Sequence, residues 1–403
     1  MPTNTDNLKL PSQNFTLTFD LQGARAWSIM NVDEDGVDGA PPATDGGSDW
    51  PIVAAFDGVA SFGTIGGSVA AGGWSCELTV PSFPADFDQY FGVDINIQTY
   101  HANVPGVVGA AGTDPDGFRL FRGYQQTLTA GRTYGRSESR FPIESSSGFL
   151  KRSELRNGFD FAADTPHGPP VSAHAVVRHI LLEHTNWADR SQYGLYFPDH
   201  DLDAFSVNEG SLWQIFQSLA GNFGIEPWVF CRRGDDLYLG CHPNLDIDGL
   251  HPNLASPIIE LDDDLVLEWT VEREREYRAA TVTIVCQLSD QTEHVVFVGD
   301  DANEGSHPKY QIRTDDTAKA ALLADALFRH LNRRWTVRAK LPLNVAVDLG
   351  DCVTVTTTDP QRDIAWSGKP FVATEVRYTP EWQGGRRTWT TELVLDEVVR
   401  GTA

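Results

Sequence analysis

The sequence predicts an α+β protein that is mainly β, with a small α/β module between two strand-rich regions. In the first and last thirds, short segments alternate apolar with polar residues and are separated by Gly, Pro and Asp. The middle third instead carries apolar residues at helical spacing. With 403 residues, 41% of them hydrophobic, the chain is long enough for two to four domains with buried cores.

The first third, residues 1–145, is predicted to be a β-domain and is called the first β-region below. Its strand-like segments are 15–21, 54–65, 74–80, 92–100 and 118–130. Such a series of short strands predicts an antiparallel barrel or sandwich. Residues 31–51, between the first strands, are too rich in Asp, Gly and Pro to be buried, so we expect an acidic surface loop there.

Residues 146–262 change character and are called the α/β module. Apolar residues recur at helical spacing in VSAHAVVRHILLEHT (171–185) and in SLWQIFQSLAGNFG (211–224). Ser211 suits the N-cap position of the second helix. The segment EPWVFCRRGDDLYLGC (226–241) follows and predicts a β-hairpin, which completes a small α/β unit.

Residues 263–403, the second β-region, return to strand patterns. The predicted strand segments are 265–288, 338–358, 369–380 and 387–395. One helix, 314–335, interrupts them, with acidic residues at its start and basic residues at its end, as the helix dipole favours. Its apolar stripe consists of Ala320, Leu323, Leu327 and Leu331. We expect a second barrel on which this stripe packs, across from Val345 and Val347.

The stretch LNVAVDLGDCVTVTT (343–357) predicts two strands that reverse at Leu349-Gly350-Asp351. Glycine tolerates a positive φ, and Asp can hydrogen-bond its own backbone in a turn. The strands on either side are expected in a barrel wall, with Val345, Val347, Val353 and Val355 on its apolar side.

The net charge of −25 argues against a protein that binds nucleic acid by neutralising phosphates, because such binding needs clustered Lys and Arg. Only six of the 31 basic residues are lysines. An acidic, lysine-poor protein fits a high-salt cytoplasm, in which carboxylates keep a protein hydrated. A GC-rich genome also favours Arg over Lys, so the halophilic interpretation and the genomic one both stay open.

The five cysteines are scattered and form no CxxC pair, so neither a disulfide framework nor a zinc site is predicted. Cys231 and Cys241 flank the predicted hairpin turn at Gly234-Asp235. That turn places Cys231 opposite Tyr238 rather than Cys241, which argues against a bridge between them.

The N-terminal segment MPTNTDNLKLPSQ has no apolar core of a signal peptide, and no 18 apolar residues run together. These features predict a soluble protein that is made in the cytoplasm and does not bind membranes stably.

Candidate metal ligands have unsuitable spacing. His174, His179 and His184 are five apart on one helix, so successive rings rotate by about 140° and cannot share a face. The loop 244–255 matches part of a calcium loop but has Ala255 where a bidentate Glu is needed. The acidic loop 198–205 offers Asp199, His200, Asp201 and Asp203, and we expect a solvent-exposed loop before a helix.

No nucleophile elbow, phosphate-binding loop or zinc-protease motif is present, so no catalytic, cofactor-binding or metal site residue is predicted. Carboxylate pairs suited to glycoside hydrolysis are uninformative, because 56 acidic residues always supply some pair at a workable separation.

Tryptophans offer a further possibility, since indole rings can stack on sugars. The tryptophans in question are Trp187, Trp213, Trp228, Trp335, Trp366, Trp382 and Trp389. Most lie in apolar-periodic segments and are expected in cores, and Trp382 is the best exposed candidate.

The order of elements resembles the tail-tip or baseplate hub family of tailed viruses and contractile injection systems. The residues that carry the resemblance are SLWQIFQSLAGNFGIEPWVF, EWTVEREREYRAATVTI, the 314–335 helix, and VDLGDCVTVTT together with KPFVATEVRYTPEWQGGRRTWTTELVL. The likeness is good over residues 205–403 and looser over the first β-region. It implies two similar tube-type barrels that flank the α/β module, assembled as a ring-shaped homotrimer with pseudo-six-fold symmetry.

The resemblance also implies a function and partners. It implies a structural, non-enzymatic hub at the distal end of a virion tail, assembled in the host cytoplasm, which adapts the six-fold tail tube to three-fold tip components. The implied partners are a tail tube or distal tail protein, a tape-measure protein, a separate spike or fibre protein, and DNA that passes transiently through the lumen. The alternatives are a receptor- or glycan-binding tail-tip protein and a tail-associated cell-wall hydrolase.

Overall fold

The computed structural model describes most of the chain in segments. They are residues 15–21, 27–30, 61–62, 64–80, 91–97, 118–125, 129–133, 136–145, 147–152, 159–160, 171–184, 193–197, 199, 201–202, 206–207, 210–220, 227–233, 236–241, 245–246, 259–273, 279–288, 290–302, 305–313, 315–332, 335–342, 347–357, 366–383 and 386–400. The predicted acidic loop 31–51 lies outside these residues.

The first β-region consists of strands that pair antiparallel with one another. They are β1 (Phe15–Leu21), β2 (Trp27–Met30), β3 (Ser61–Phe62), β4 (Ile65–Ser68), β5 (Gly73–Val80), β6 (Phe91–Ile97), β7 (Phe118–Gln125), β8 (Thr129–Thr133) and β9 (Arg136–Glu144). The predicted strands 15–21, 74–80 and 92–100 are confirmed to within a few residues. In the segment 54–65 the described strands begin at Ser61, and the segment 118–130, predicted as one strand, covers β7 and the start of β8. β9 was not predicted, because RSESRFPIE is too polar to show a strand pattern.

The described residues of the α/β module form helices and several short strands. The helices are α1 (Ser147–Arg152), α2 (Ala173–His184) and α3 (Leu212–Ala220). The strands are β10 (Phe159–Asp160), β11 (Val171–Ser172), β12 (Tyr193–Tyr196), β13 (Asp201–Leu202), β14 (Ser206–Val207), β15 (Pro227–Cys231), β16 (Leu237–Cys241), β17 (Leu245–Asp246) and β18 (Ile259–Leu261).

The predicted N-cap of α3 is confirmed. Gln214 N donates to Ser211 Oγ at 3.3 Å, and Ser211 N donates to Gln214 Oε1 at 3.1 Å, which forms a reciprocal capping box. The helix buries Leu212, Ile215, Phe216, Leu219 and Ala220, the apolar face that the sequence spacing predicts.

The second β-region contains β19 (Glu268–Glu272), β20 (Thr281–Gln287), β21 (Glu293–Gly299), β22 (Lys309–Arg313), α4 (Thr317–Leu331), β23 (Thr336–Pro342), β24 (Cys352–Val355), β25 (Pro370–Gln383), β26 (Arg386–Glu397) and β27 (Val399–Arg400). The predicted strand 265–288 is in fact two strands, β19 and β20, which belong to different sheets. The predicted helix 314–335 is confirmed as α4, shorter by a few residues at each end.

One continuous sheet crosses both β-regions. Its strand order is β19-β23-β26-β25-β4-β5-β9-β7-β6-β1-β2. The link is the antiparallel pairing of β25 with β4, which places Glu375 opposite Ser68 and Tyr378 opposite Ile65. The prediction of a mainly β protein with antiparallel pairing is therefore confirmed. Closure of the regions into two similar barrels, the boundaries of the three predicted domains and the trimer stay predictions.

Two large hydrophobic cores and one small cluster lie among the described residues. The first core combines Trp74 and Phe121 of the first β-region with Val376 and Leu393 of the second, and it also contains Phe230 of the α/β module. The second core joins α2, α3 and the strands of the module to β20, β22 and α4. The first core contains side chains from all three parts of the chain, so it holds these parts together. Full burial of one large apolar side chain contributes about 1.5–3 kcal/mol to stability.

The predicted packing of α4 is partly wrong. Ala320, Leu323 and Leu327 are buried as expected, but they pack in the second core, on β20 and β21. Val347 lies in the first core, and Val345 is outside the described residues. The helix covers the nearest apolar sheet face in sequence, β20–β22, because short connections favour packing between consecutive elements.

The predicted hairpin at 343–357 is also partly wrong. The chain does turn at Gly350, whose φ is +79°, and Asp351 N donates to Asp348 O at 3.1 Å. However, β24 pairs with β25 and, in parallel, with β18, and Val347 lies outside any strand. The turn thus leads into a strand whose partners come from elsewhere in the chain.

Candidate functional site

The turn of residues 348–351 is buried and acidic. Asp348 and Asp351 are only 6% and 5% exposed. Their carboxylates accept hydrogen bonds from backbone N–H groups of the same turn. Asp348 N donates to Asp351 Oδ2 at 2.8 Å, and Leu349 N donates to Asp348 Oδ1 at 2.7 Å. Gly350 is needed here, since a Cβ would lie 2.9 Å from the Phe230 ring as well as at an unfavourable φ.

Two arginines of the β15–β16 loop meet this turn. Arg232 Nη2 donates to Asp351 Oδ1 at 2.5 Å, and its Nε lies 3.5 Å from Asp348 Oδ2. The backbone N of Arg233 donates to Asp348 Oδ2 at 3.0 Å. Buried carboxylates are stabilised only when they are paired and hydrogen-bonded, and both conditions are met here.

The first β-region joins the same cluster through Trp74 of β5. Trp74 Nε1 donates to Asp348 Oδ1 at 3.1 Å, and its indole stacks on the Tyr378 ring with centroids 5.5 Å apart. Tyr378 in turn accepts a hydrogen bond from Arg233 Nη1 at 2.8 Å. We call Trp74, Arg232, Arg233, Asp348, Asp351 and Tyr378 the ionic junction, because it connects the module to both β-regions next to the β4–β25 pairing.

Burial sets the electrostatics of the ionic junction. It raises the pKa of Asp351 to about 6, against the attraction of Arg232 and with the help of the neighbouring Asp348. Burial also raises the pKa of Tyr378 to about 12, so its hydroxyl stays protonated at neutral pH. For Arg232, burial opposes the charge, but Asp348, Asp351 and Asp236 outweigh it and raise the pKa, so the guanidinium remains charged. The geometry fastens three segments of the chain together.

Sequence reasoning did not find the ionic junction. Arg232 and Asp351 are 119 positions apart, and no periodic pattern relates them. The available signal was an Arg-Arg pair in a hairpin loop of a strongly acidic chain, together with the two aspartates on either side of Leu-Gly in DLGD (348–351).

A cleft of about 500 Å³ lies between the α/β module and the large sheet. Its floor consists of two cross-strand rows of side chains. One row runs through Glu272, Thr336 and Asp396, and the other through Arg338, Val394, Glu375 and Ser68. Residues that pair directly across strands share a sheet face, so these rows form one largely polar surface.

The floor side chains are held by specific contacts. Arg338 Nε donates to Glu272 Oε1 at 3.2 Å, and Thr336 Oγ1 donates to Asp396 Oδ1 at 2.8 Å. At the β-bulge of β25, Thr374 O accepts from Val69 N at 3.0 Å, which brings the Val69–Ala70 turn to the edge of the cleft.

The wall of the cleft carries two indole rings, from Trp213 of α3 and Trp228 of β15. The Lys151 ammonium lies over the Trp213 ring, 5.3 Å from its centroid, and Lys151 also pairs with Glu144 at 2.6 Å. The Trp228 ring meets Phe230 edge-on, with centroids 6.2 Å apart. Trp213 and Trp228 were among the predicted sugar-stacking candidates. Trp335 and Trp366 are buried in the first core, as expected, whereas the side chains of Trp187, Trp382 and Trp389 lie outside the description.

The histidines predicted to be structural lie on α2. His174 Nε2 is hydrogen-bonded to Phe197 O at 2.8 Å, and its ring meets the Phe197 ring edge-on at a centroid distance of 4.6 Å. Within the described residues, no group of three or more His, Cys, Asp or Glu side chains is placed to hold a metal ion.

The acidic loop 198–205 has a structural role at Asp199. Its carboxylate accepts hydrogen bonds from Ser172 Oγ at 2.6 Å and from His174 N at 3.0 Å, so it caps the N-terminus of α2. Of the calcium-like loop 244–255, the described part, Leu245–Asp246, is β17, which pairs with β27.

The strands around Cys231 and Cys241 confirm that these two are not cross-strand partners. Cys231 faces Leu237 and Cys241 faces Pro227, a register one residue away from the predicted pairing with Tyr238. The loop is longer than a two-residue turn, and Arg232 N donates to Asp236 O at 2.8 Å to close it. In the described part of the chain, no helix is both long and apolar enough to cross a membrane.

No protein-family model matches the sequence, and a search of the curated proteins finds no match. Solved structures do match. The chain is similar to the tail protein from Neisseria meningitidis MC58, with 13% identity and a TM-score of 0.58 over 95% of this chain and 97% of that one.

Two further structures are similar over nearly their whole length. Prophage tail protein gp18 from Listeria monocytogenes EGD-e has 9% identity and a TM-score of 0.51, over 95% of this chain and 94% of that one. The 43 kDa tail protein of prophage MuSo2 from Shewanella oneidensis has 9% identity and a TM-score of 0.50, over 96% and 98%. Because identities this low establish the fold alone, the conclusion is that this chain has the fold of phage tail proteins, as the resemblance in its sequence predicted.

Proposed function

We propose that this protein is a structural hub at the distal end of a viral tail, where it adapts the six-fold tail tube to three-fold tip components. The fold shared with tail proteins over nearly the whole chain supports a structural role in a tail tip. In this proposal three copies form a ring whose lumen is part of the DNA-passage channel.

The single observation that supports an adapter best is the β4–β25 pairing. It joins the two β-regions edge to edge, so that each copy carries both β-regions in one continuous sheet. Three such units bring six β-regions into a ring, which matches a six-fold tube on one side and a three-fold tip on the other. The ionic junction lies at the same seam and resists separation of the two regions.

The net charge of −25 suits a channel for DNA. Each basic lining residue would add a phosphate contact that must be broken during passage, whereas carboxylates do not bind the backbone. The proposed partners are further copies of the chain, a tail tube or distal tail protein, a tape-measure protein and a separate spike or fibre protein. The proposed location is the virion, after assembly in the host cytoplasm.

The proposal includes the absence of hydrolase activity. Purified protein is expected to leave peptidoglycan and host envelope undigested. Digestion that disappears after one carboxylate substitution would overturn this part of the proposal and favour a tail-associated cell-wall hydrolase.

The hub itself is tested by measuring the mass of the full chain in solution by light scattering, with electron microscopy of the same sample. We expect three times the mass of one chain and ring-shaped particles with three-fold symmetry. A chain that stays monomeric at all concentrations, alone and with a tail tube protein, contradicts the proposal. A structure in which the two β-regions cannot be superposed contradicts the pseudo-six-fold ring.

A further inference from the structure

We infer that the cleft between the α/β module and the large sheet binds a neutral saccharide of one or two rings. Its volume of about 500 Å³ lies in the range of small-ligand sites, and it sits between two parts of the chain, where such sites commonly occur. This function goes beyond the proposed hub and does not depend on the oligomeric state.

The floor of the cleft has the hydrogen-bonding chemistry that sugar hydroxyls require. A hydroxyl both donates and accepts, so it needs acceptors and donors side by side. Glu272 and Asp396 supply carboxylate acceptors, Arg338 supplies guanidinium donors, and Thr336 supplies a hydroxyl. A carboxylate oxygen accepts more than one hydrogen bond, so Glu272 can accept from a ligand as well as from Arg338.

These floor groups are arranged before a ligand arrives. The Arg338–Glu272 and Thr336–Asp396 hydrogen bonds hold their side chains, and all of them project from paired strands of one sheet. Pre-arranged groups lose less conformational entropy on binding, which favours a weak, polar ligand.

The indoles of Trp213 and Trp228 supply the apolar contact that a sugar ring also needs. The C–H face of a pyranose packs on an aromatic ring, while its hydroxyls point to polar groups at the sides. Trp213 is fixed by Lys151 over its ring, and Trp228 by Phe230. The cleft therefore combines two held indoles with a polar floor.

The charges favour a neutral ligand over an acidic sugar or a basic peptide. The floor carries three carboxylates, Glu272, Glu375 and Asp396, and one guanidinium, Arg338. This excess of negative charge would repel an acidic sugar. Two of these carboxylates are already paired with arginines, Glu272 with Arg338 at 3.2 Å and Glu375 with Arg377 at 2.8 Å. A Lys or Arg side chain therefore gains little from them, whereas uncharged hydroxyls can still hydrogen-bond.

The test is titration of the full-length chain with N,N′-diacetylchitobiose, maltose and lactose. Calorimetry and intrinsic tryptophan fluorescence report binding. We expect at least one of these neutral disaccharides to bind with a dissociation constant near the millimolar range and to change the fluorescence. Sialyllactose, an acidic sugar, is expected to bind at least tenfold more weakly than lactose.

Two variants locate the site. Arg338→Gln removes the floor guanidinium, and we expect binding to weaken at least tenfold. Its matched control is Lys309→Gln, which also removes one exposed cation from a strand, β22, but outside the cleft lining. Ala70→Trp fills the cleft from an exposed position without removing a contact, and we expect it to abolish binding while the melting temperature is retained.

The inference is overturned if none of the three disaccharides binds, or if binding persists in both Ala70→Trp and Arg338→Gln. Binding of an oligolysine peptide with no saccharide binding also overturns it. If Ala70→Trp changes the mass of the assembly, the cleft is a contact between copies rather than a sugar site. A trimer that binds no saccharide leaves the hub intact, and a monomer that binds one leaves the cleft site intact.

Discussion

Two three-stranded sheets in this protein have the same local plan and different surroundings. In β12-β16-β15 and in β21-β20-β22, the central strand pairs antiparallel with one neighbour and parallel with the other. Each sheet is covered on one face by a helix, α3 on the first and α4 on the second.

The second face of each sheet differs. The module sheet also faces the first core, where Phe230 is 0% and Tyr238 is 6% exposed. On β21 of the other sheet, Val295 and Phe297 are 56% and 48% exposed. The same strand arrangement is thus a middle layer in the module sheet, β12-β16-β15, and an outer layer in β21-β20-β22. Stability is therefore expected to depend far more on the module sheet.

The largest expected effect is the loss of the Phe230 ring. Phe230→Ala should lower the free energy of unfolding by about 4–5 kcal/mol, because the ring is fully buried and stacks on Tyr238 at a centroid distance of 4.5 Å. The matched variant Phe297→Ala should cost less than about 1 kcal/mol, since that ring is half exposed. Urea unfolding followed by fluorescence measures both. Equal losses would mean that the outer face of β21 is covered in solution, which would remove the contrast.

The ionic junction should have the next largest effect, because it fastens the module sheet to the large sheet. Arg232→Gln leaves two buried carboxylates without their cation, and we expect a loss of about 3–4 kcal/mol. Arg338→Gln breaks a pair whose side chains are both 52% exposed, and it should cost less than about 1 kcal/mol. Similar midpoints for the two variants in denaturant would show that the junction does not stabilise the seam.

Stability should depend on pH through Asp351. Its pKa is about 6 in the folded chain against about 3.9 when unfolded, so the folded state binds this proton more tightly. The corresponding stabilisation is complete below about pH 4 and is lost as the pH rises through about 6, by up to about 3 kcal/mol.

The measurement is the difference in unfolding free energy between the unsubstituted chain and Asp351→Asn from pH 4 to pH 7. Other carboxylates titrate in both proteins and cancel in this difference. As the pH rises from 4 to 7, the unsubstituted chain should lose stability relative to Asp351→Asn. Parallel pH profiles would contradict the raised pKa.

The smallest effect concerns the helix that covers the module sheet. Ser211→Ala removes the hydroxyl that accepts a hydrogen bond from Gln214 N at the start of α3. This loss should lower the free energy of unfolding by about 1 kcal/mol. Ser75→Ala, at an exposed position of β5, should change stability by less than about 0.5 kcal/mol. If the two variants melt at the same temperature, the cap does not limit the stability of this layer.

Much of the local structure could be predicted from the sequence. The apolar faces of α2, α3 and α4, the cap at Ser211, the turn at Gly350 and most strands follow from spacing and turn chemistry within about 20 residues. The strand β9 was missed because its residues are mostly polar, and 265–288 was taken as one strand because its two halves both alternate.

The cleft and the ionic junction could not be predicted in the same way. Trp213 and Trp228 were recognised as sugar-stacking candidates, but nothing in the sequence indicates that they face Glu272, Arg338 and Asp396 across a cleft. Trp74 and Asp348 are 274 positions apart, and Arg232 and Asp351 are 119 apart. Such contacts follow from which strands pair, and strand pairing between distant segments leaves no periodic trace.

The sequence by itself determined the mainly β class, the helices of the middle third and α4, and the acidic, lysine-poor composition. Only the tertiary structure decided that β25 pairs with β4 and that β24 pairs with β18 and β25. It also decided that one three-stranded sheet faces a core on each side, whereas Val295 and Phe297 of the other sheet are exposed. The physical reason is that local propensity and amphipathic spacing act over one element, whereas burial is decided by the element that happens to pack against it.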